Sequence, residues 1–202
     1  MQKAEQILQA VQKMGEKRIP LTRVYRSLFS EDLFLAAYDK IARNRGALTV
    51  GTENDTADGM SRERIQRIIE KLRNERLKFR PARRIQIPKK SGGTRPLGIP
   101  NFTDKLVQEA LRMVLEVYYE PRFRDSSHGF RPGRGCHTAL ANLQYKFKGA
   151  AWFIEGDIRG CFDNIDHEVL MAILARDIQD GRLLNLLRMG LEAGYLEDWQ
   201  YN

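Results

Sequence analysis

The expected fold follows from residues 150–167, which read Ala150-Ala151-Trp152-Phe153-Ile154-Glu155-Gly156-Asp157-Ile158-Arg159-Gly160-Cys161-Phe162-Asp163-Asn164-Ile165-Asp166-His167. The apolar run from Ala150 to Ile154 predicts a buried β-strand, and Asp157 follows where that strand leaves the sheet. Gly160 predicts a bend. Asp166 is a typical N-cap for a helix that we expect from residue 167 to about residue 178.

Asp157 is the candidate metal ligand of this stretch. A hard cation such as Mg²⁺ takes one or two carboxylates together with substrate phosphates, so a carboxylate at a strand end in a basic protein indicates phosphoryl or nucleotidyl transfer. Structural roles compete with this interpretation. Asp166 suits a helix cap, Asp163 suits a turn, and Asp157 taken alone fits either kind of role.

The composition describes a globular, basic chain. Its 202 residues, 42% of them hydrophobic, suffice for one large domain or two small ones. The net charge of +8 indicates a polyanionic partner, either nucleic acid or an anionic membrane surface. We expect a cytoplasmic protein without a membrane span, because the apolar runs are short and no secretory signal is present. Cys136 and Cys161 have no zinc-site spacing and are expected to be buried and reduced.

Helical periodicity predicts helices over residues 2–15, 31–44, 61–75, 104–119, 136–146, 167–178 and 182–192. Between the second and third of them, residues 44–59 contain repeated Gly, Asn and Asp, which predicts an exposed and mobile loop.

Positive charge is concentrated between Arg62 and Arg95, where thirteen basic residues stand against three acidic ones. A solvated helix face usually mixes both signs, so we expect this region to contact nucleic acid. The candidate contact residues are Arg62, Arg64, Arg67, Lys71, Arg73, Arg76, Arg83 and Arg84.

Two further segments are candidates for phosphate binding. Alternating runs on either side of Ser91-Gly92-Gly93 predict a β-hairpin at a sheet edge, and Lys89 and Arg95 flank its turn in positions suited to a triphosphate. The glycine-rich, basic turn over residues 127–135 leads into a helix, which is compatible with a backbone clamp for phosphates or with a plain loop.

Three segments in order resemble successive blocks of the reverse transcriptase domain of group II intron-encoded proteins, the intron maturases. They are IPKKSGGTRPLGIPNFTDKLVQEAL, SSHGFRPGRGCHTAL and FIEGDIRGCFDNIDHEVL. The resemblance implies an α+β right-hand polymerase fold, mostly helical, with a fingers β-hairpin and a short palm sheet. It implies an N-terminal extension with a Gly-rich template loop over residues 1–60, fingers over 61–149 and the first part of the palm over 150–202.

The resemblance also implies roles for individual residues. Asp157 matches a catalytic, metal-binding aspartate, and the Ile158 backbone carbonyl shares its ion. Phe162 matches the ring that leaves no room for a ribose 2′-hydroxyl. Lys89 and Arg95 match the residues that hold the triphosphate of the incoming dNTP. The segment Gly129-Phe130-Arg131-Pro132 matches a contact to the template strand.

The implied activity is RNA-directed DNA polymerisation with Mg²⁺ as cofactor, copying intron RNA into DNA for retrohoming, together with binding of intron RNA to assist splicing. The partners are intron RNA, an RNA template, a DNA primer and dNTP. The family also uses a second block containing Asp-Asp, and no such pair occurs in these 202 residues. We therefore expect a fragment that is inactive alone, because two-metal catalysis needs both blocks, and whose exposed apolar surface favours a homodimer.

Two alternatives stay open. The first is a segment that binds RNA for splicing without performing chemistry. The second is a reverse transcriptase of the retron, diversity-generating or CRISPR-associated kind, against which the turn block argues. A membrane-surface protein is disfavoured, because the basic residues surround a hairpin and do not border an apolar helix face.

Overall fold

A computed structural model describes residues 2–90, 92–198 and 200–201. These residues form an α+β fold, about half helical, with one small mixed sheet, as predicted. The helices are α1 (Gln2–Glu16), α2 (Glu31–Ala42), α3 (Arg62–Arg73), α4 (Phe102–Tyr119), α5 (Cys136–Lys146), α6 (His167–Asp177) and α7 (Gly181–Leu191). The strands are β1 (Ala82–Pro88), β2 (Thr94–Ile99), β3 (Tyr195–Glu197) and β4 (Gln200–Tyr201).

The helix ends lie within two residues of the predicted ends because local capping sets them. The Ser30 hydroxyl accepts a hydrogen bond from the Leu33 N–H at the start of α2, and Ser61 accepts one from the Arg64 N–H at the start of α3. Asp166 is the N-cap of α6, as predicted. Asp180 caps α7 in the same way.

The core is built around α4, which packs against α1 and α2. Leu106 and Tyr118 of α4 are fully buried together with Leu33 and Phe34 of α2. The last turn of α1 approaches α4 so closely that a Cβ atom at Gly15 would lie 2.1 Å from the Tyr118 carbonyl oxygen. A glycine is therefore required where these two helices meet.

The helices α6 and α7 attach to the segment between α1 and α2. The Leu21 N–H donates to the Asp177 carbonyl at 2.8 Å, and the Gln179 N–H donates back to the Leu21 carbonyl at 2.9 Å. The buried Asp180 carboxylate accepts a hydrogen bond from the Tyr25 N–H at 2.8 Å. Residues that are about 150 positions apart in the chain thus share one core.

The sheet has the strand order β2-β1-β3-β4. The predicted hairpin forms from β1 and β2, with Ile87 opposite Arg95, and its turn contains Gly92 and Gly93 at φ angles of +87° and +76°. Such positive φ angles are readily accessible to glycine. The strands β3 and β4 were not predicted. They extend the hairpin, since β3 pairs in parallel with the start of β1.

The buried strand predicted at residues 150–154 is wrong. This stretch has no regular secondary structure, and the side chains of Trp152 and Ile154 are 88% and 94% exposed. A strand needs a neighbouring strand to satisfy its backbone groups, and no described segment pairs with this one. The prediction of buried cysteines is wrong for a related reason, because Cys136 and Cys161 lie on exposed segments.

None of the helices in the described part of the chain is both long enough and apolar enough to cross a lipid bilayer.

Candidate active site and nucleic-acid interface

Asp157 lies in an exposed irregular segment between α5 and α6, together with Ile158 and Phe162. The residues Ile158 and Phe162 are 73% and 83% exposed to solvent. Within the described residues, Asp157 makes no ion pair and no group of three His, Cys, Asp or Glu side chains could hold a metal ion. Asp157 and the Ile158 carbonyl are hard oxygen donors that suit a divalent cation.

The turn after Asp157 has a local explanation. Gly160 adopts a φ angle of +58°, and the Asn164 side chain donates to the carbonyls of Arg159 and Gly160 at 3.3 and 3.0 Å. Asp163 is exposed in this turn, and Asp166 caps α6 by accepting hydrogen bonds from the N–H groups of Glu168 and Val169. The three aspartates therefore occupy three different environments.

The hairpin presents Lys89 and Arg95 to solvent. The Lys89 N–H donates to the Gly93 carbonyl at 2.9 Å, which closes the turn. Arg95 lies opposite Ile87 near the start of β2, and Lys89 directly follows the end of β1, so both cations flank the same turn. Within the part of the chain that the structure describes, neither cation is paired with an acidic side chain. Both are available to an anionic ligand.

In the turn at residues 129–132, the Arg131 side chain is held by contacts within the fold and the Phe130 side chain is exposed to solvent. The Arg131 guanidinium is only 6% exposed and pairs with Glu120 at 2.8 Å. It also donates to the carbonyls of Arg124 and Ser127 at 2.9 and 2.8 Å, so it holds the turn together. Phe130 is fully exposed with a φ angle of +57°. Gly129 and Pro132 are also at the surface of the turn.

The basic residues of the predicted interface likewise separate into two sets. One set is engaged within the fold. Arg62 pairs with Glu31 at 2.8 Å, and Arg83 donates to the Val50 carbonyl at 2.8 Å. Arg73 and Arg84 lie over the rings of Phe29 and Tyr195, at 5.2 and 4.2 Å from the ring centroids. The other set, Arg67, Lys71 and Arg76, lines a cleft.

This cleft has a volume of about 580 Å³ and lies between the loop of residues 44–59, helix α3 and residues 76–80, with the start of α4 as its floor. The loop of residues 44–59 was predicted to be exposed and mobile, but it is held by side chains. Its buried Asp55 accepts hydrogen bonds from Arg64 at 2.6 Å and from the Thr103 N–H at 2.9 Å. Arg64 therefore fixes the cleft wall.

Asn101 secures the same loop from the other side. Its side-chain oxygen accepts a hydrogen bond from the Glu53 N–H at 3.0 Å, and its amide donates to the Thr52 hydroxyl at 3.2 Å. Gly51 packs so tightly here that a Cβ atom would lie 2.3 Å from the Asn101 side-chain oxygen. Asp55 and Asn101 were not identified from the sequence, because Thr103 and Glu53, which donate to them, are 48 positions away and no local spacing indicates these contacts.

Two acidic residues at the cleft are balanced locally. Glu53 pairs with the Arg80 guanidinium at 3.1 Å. Asp104 accepts a hydrogen bond from the Arg80 backbone N–H at 3.1 Å, and burial raises the pKa of its carboxyl group to about 6. The free positive charge of the cleft consequently lies on Arg67, Lys71, Arg76 and Lys78, which show neither an ion pair nor a side-chain hydrogen bond to any described residue.

Comparison with known proteins identifies the family of this chain. Residues 87–184 match the reverse transcriptase (RNA-dependent DNA polymerase) family. The group II intron-encoded protein LtrA of Lactococcus lactis is 50% identical over 199 residues, which cover 97% of this chain and 33% of LtrA. A 91 kDa protein in the cob intron of Schizosaccharomyces pombe is 52% identical over 174 residues, covering 86% of this chain and 22% of that protein.

The chain is also similar to an intron maturase of a plant. Nuclear intron maturase 1 of Arabidopsis thaliana is 40% identical over 93 residues, which cover 46% of this chain and 13% of that protein. The chain thus spans about a third or less of the length of these three relatives. With the fingers hairpin formed and the three sequence blocks in family order, the chain belongs to the reverse transcriptases encoded by group II introns.

Proposed function

We propose that this chain is the fingers and first palm portion of an RNA-directed DNA polymerase that copies intron RNA into DNA for retrohoming and binds intron RNA during splicing. Residues 1–60, 61–149 and 150–202 correspond to the N-terminal extension, the fingers and the beginning of the palm. The observation that carries the proposal is the match of residues 87–184 to the reverse transcriptase family, since it contains the end of β1 with the hairpin turn and β2, the turn at residues 129–132 and Asp157.

In this proposal, Lys89 and Arg95 hold the triphosphate of the incoming dNTP. Their support is the hairpin register, which places two unpaired cations near one turn. Arginine forms a planar fork suited to phosphate oxygens, and lysine adds a compact charge. Phe162 excludes the 2′-hydroxyl of a ribonucleotide, for which its large exposed ring is suited. Exposed Phe130, with Gly129 and Pro132, contacts the template strand.

Asp157 and the Ile158 carbonyl provide oxygen ligands for Mg²⁺ in this proposal, since Mg²⁺ binds through one or two carboxylates and substrate phosphates. A bound divalent ion stabilises negative charge on a phosphoryl group and on an attacking oxygen. LtrA is about three times as long as this chain. We therefore expect polymerase activity to need residues other than these 202.

Primer extension on an RNA template tests the assignment. We expect the protein carrying its natural downstream sequence to extend a DNA primer with Mg²⁺, and Asp157→Asn to reduce this activity at least ~100-fold, as loss of a group that stabilises transition-state charge does. Asp163→Asn is the matched control, since Asp163 is also exposed and lies in the turn that follows Asp157. Undiminished extension by Asp157→Asn contradicts the catalytic assignment.

A second candidate function is RNA binding in splicing without chemistry, and the unpaired cations of the cleft favour it. Binding to intron RNA that persists in Asp157→Asn supports RNA binding as a separate activity of the fold. Equal affinity for unrelated RNA argues against a role specific to one intron.

We also propose a cytoplasmic location and self-association into a homodimer. The support for a dimer is exposed apolar surface at Trp152, Phe153 and Ile154, together with an apolar groove of about 610 Å³ between α4, α6 and α7. Exposed apolar patches of this kind favour association. Sedimentation equilibrium at increasing protein concentration measures it.

A further inference from the structure

We propose that the cleft between the loop of residues 44–59, helix α3 and residues 76–80 binds the sugar-phosphate backbone of single-stranded RNA through Arg67, Lys71, Arg76 and Lys78. The inference rests on the proposed function, which supplies RNA as the partner. It goes further by assigning the contact to four residues in one place. The sequence alone distributes the contact over the whole basic region.

The first argument is that none of these four cleft cations forms an ion pair or a side-chain hydrogen bond with a described residue. Arg62 and Arg64 are in ion pairs with Glu31 and Asp55. Arg83 is bound to a backbone carbonyl, and Arg73 and Arg84 lie over aromatic rings. A phosphate that binds those residues must compete with a partner already present. The positive charge of Arg67 also acts on Glu63, but a phosphate that binds the cleft cations displaces no ion pair and no side-chain hydrogen bond to a described residue.

The second argument is the arrangement of the four side chains. Arg67 and Lys71 are four positions apart on α3 and so lie on the same helix face. Helix α3 then ends in a turn in which Glu75 has a φ angle of +54° and the Arg76 N–H donates to the Lys71 carbonyl at 2.8 Å. This left-handed ending reverses the chain. It brings Arg76 and Lys78 to the cleft that Arg67 and Lys71 already line.

The third argument concerns the shape of the cleft wall. Asp55, Arg64 and Thr103 form a hydrogen-bonded group in which Arg64 contacts the other two at 2.6 and 2.9 Å. Arg64 also donates to the Gly59 carbonyl at 3.1 Å. Arg64 is therefore a positioning residue that holds the loop against α3 and α4, and the cleft exists without RNA.

The fourth argument identifies which part of the RNA is bound. The residues lining the cleft include no aromatic ring on which a base would stack. Contacts to phosphates carry no sequence information, whereas contacts to base edges do. The volume of about 580 Å³ falls within the range of small-ligand pockets. A cleft of this size suits a short stretch of a single strand.

The test is the salt dependence of binding by this 202-residue chain to a short fluorescently labelled oligouridine. Each phosphate contact to a single strand contributes about 0.7 to the slope of log Kobs against log salt. We expect the double variant Arg67→Gln/Lys71→Gln to make that slope shallower by about 1.4. The double variant Lys13→Gln/Lys17→Gln is the matched control, because it removes the same charge from exposed residues with the same spacing at α1.

Four results separate the outcomes. A shallower slope in the cleft variant with an unchanged slope in the control supports the site. Equal slopes in the wild type and the cleft variant overturn it, and so does an equal change in both double variants, because charge anywhere then suffices. A cleft variant that alters the ratio of oligouridine to oligoadenosine affinity overturns the assignment to the backbone.

Failure of this inference is distinguishable from failure of the proposed function. The binding measurement involves no chemistry and does not depend on Asp157. An unchanged slope, in a protein whose longer form extends primers, overturns the cleft alone. A shallower slope in the cleft variant supports the cleft even where Asp157→Asn leaves polymerisation intact.

Discussion

Asp104 lies in the first turn of α4 with only 4% of its surface exposed. Burial is the main cause of its raised pKa, and the negative charges of Asp55 and Glu53 raise the pKa further, while the hydrogen bond from the Arg80 N–H acts in the opposite direction. The folded protein therefore binds a proton at Asp104 more tightly than the unfolded chain does. The stability contributed by protonation is complete below about pH 4 and is lost as the pH rises through 6.

We expect Asp104→Asn to gain stability relative to the wild type as the pH rises from 4 to 7, by roughly 2–3 kcal/mol, because the amide cannot ionise and its oxygen still accepts the Arg80 N–H. Urea denaturation at several pH values measures the difference between the two proteins. Asp163→Asn makes the same chemical change at an exposed position. A difference between Asp104→Asn and wild type that does not vary with pH contradicts the prediction.

At the scale of elements, α1 and α4 can cross closely because Gly15 has no side chain. Gly15 faces the backbone of Tyr118, where a Cβ atom would be 2.1 Å from the carbonyl oxygen. Backbone cannot move aside as a flexible side chain can. The two helices must therefore separate or bend to admit a methyl group.

We expect Gly15→Ala to destabilise the protein by roughly 1–3 kcal/mol through overpacking. Gly46→Ala is the control, because a Cβ atom there meets nothing within 4 Å. That change is expected to be neutral or slightly stabilising, since alanine restricts the unfolded chain. Urea midpoints measure both effects, and equal midpoints for the two variants refute the close contact.

At the scale of the whole molecule, a well-packed core is joined to an exposed segment that does not pack against it. The body contains the core around α4 and the attachment of α6 and α7 to residues 21–25. The unpacked segment extends over residues 150–166 and contains the candidate catalytic residue Asp157. Exposed backbone without hydrogen-bonded partners opens freely, whereas buried helical backbone opens only with larger unfolding.

We expect amides at residues 152–158 to exchange with deuterium at rates near those of an unfolded chain, while the buried face of α4 is protected at close to the global stability. Hydrogen exchange with peptide-level mass spectrometry measures both regions in one experiment. The helix α6 is an internal reference, because it follows the segment directly and is capped by Asp166. Protection at residues 152–158 equal to that of α4 contradicts the exposed conformation.

The sequence by itself determined the features that short stretches specify. Apolar periodicity and capping residues such as Ser30, Ser61 and Asp166 located the helices, and a Gly-Gly turn between alternating runs located the hairpin. The order of three motifs indicated the family. These features depend on neighbours within a few residues, so the local sequence carries the information.

Only the tertiary structure decided what depends on distant partners. Asp55 is fixed by Thr103, and Arg64 and Arg131 are engaged in holding loops. The run at residues 150–154 has the composition of a buried strand, yet no described strand pairs with it. Burial and pairing are set by contacts between residues far apart in the chain, and local composition does not determine which contacts form.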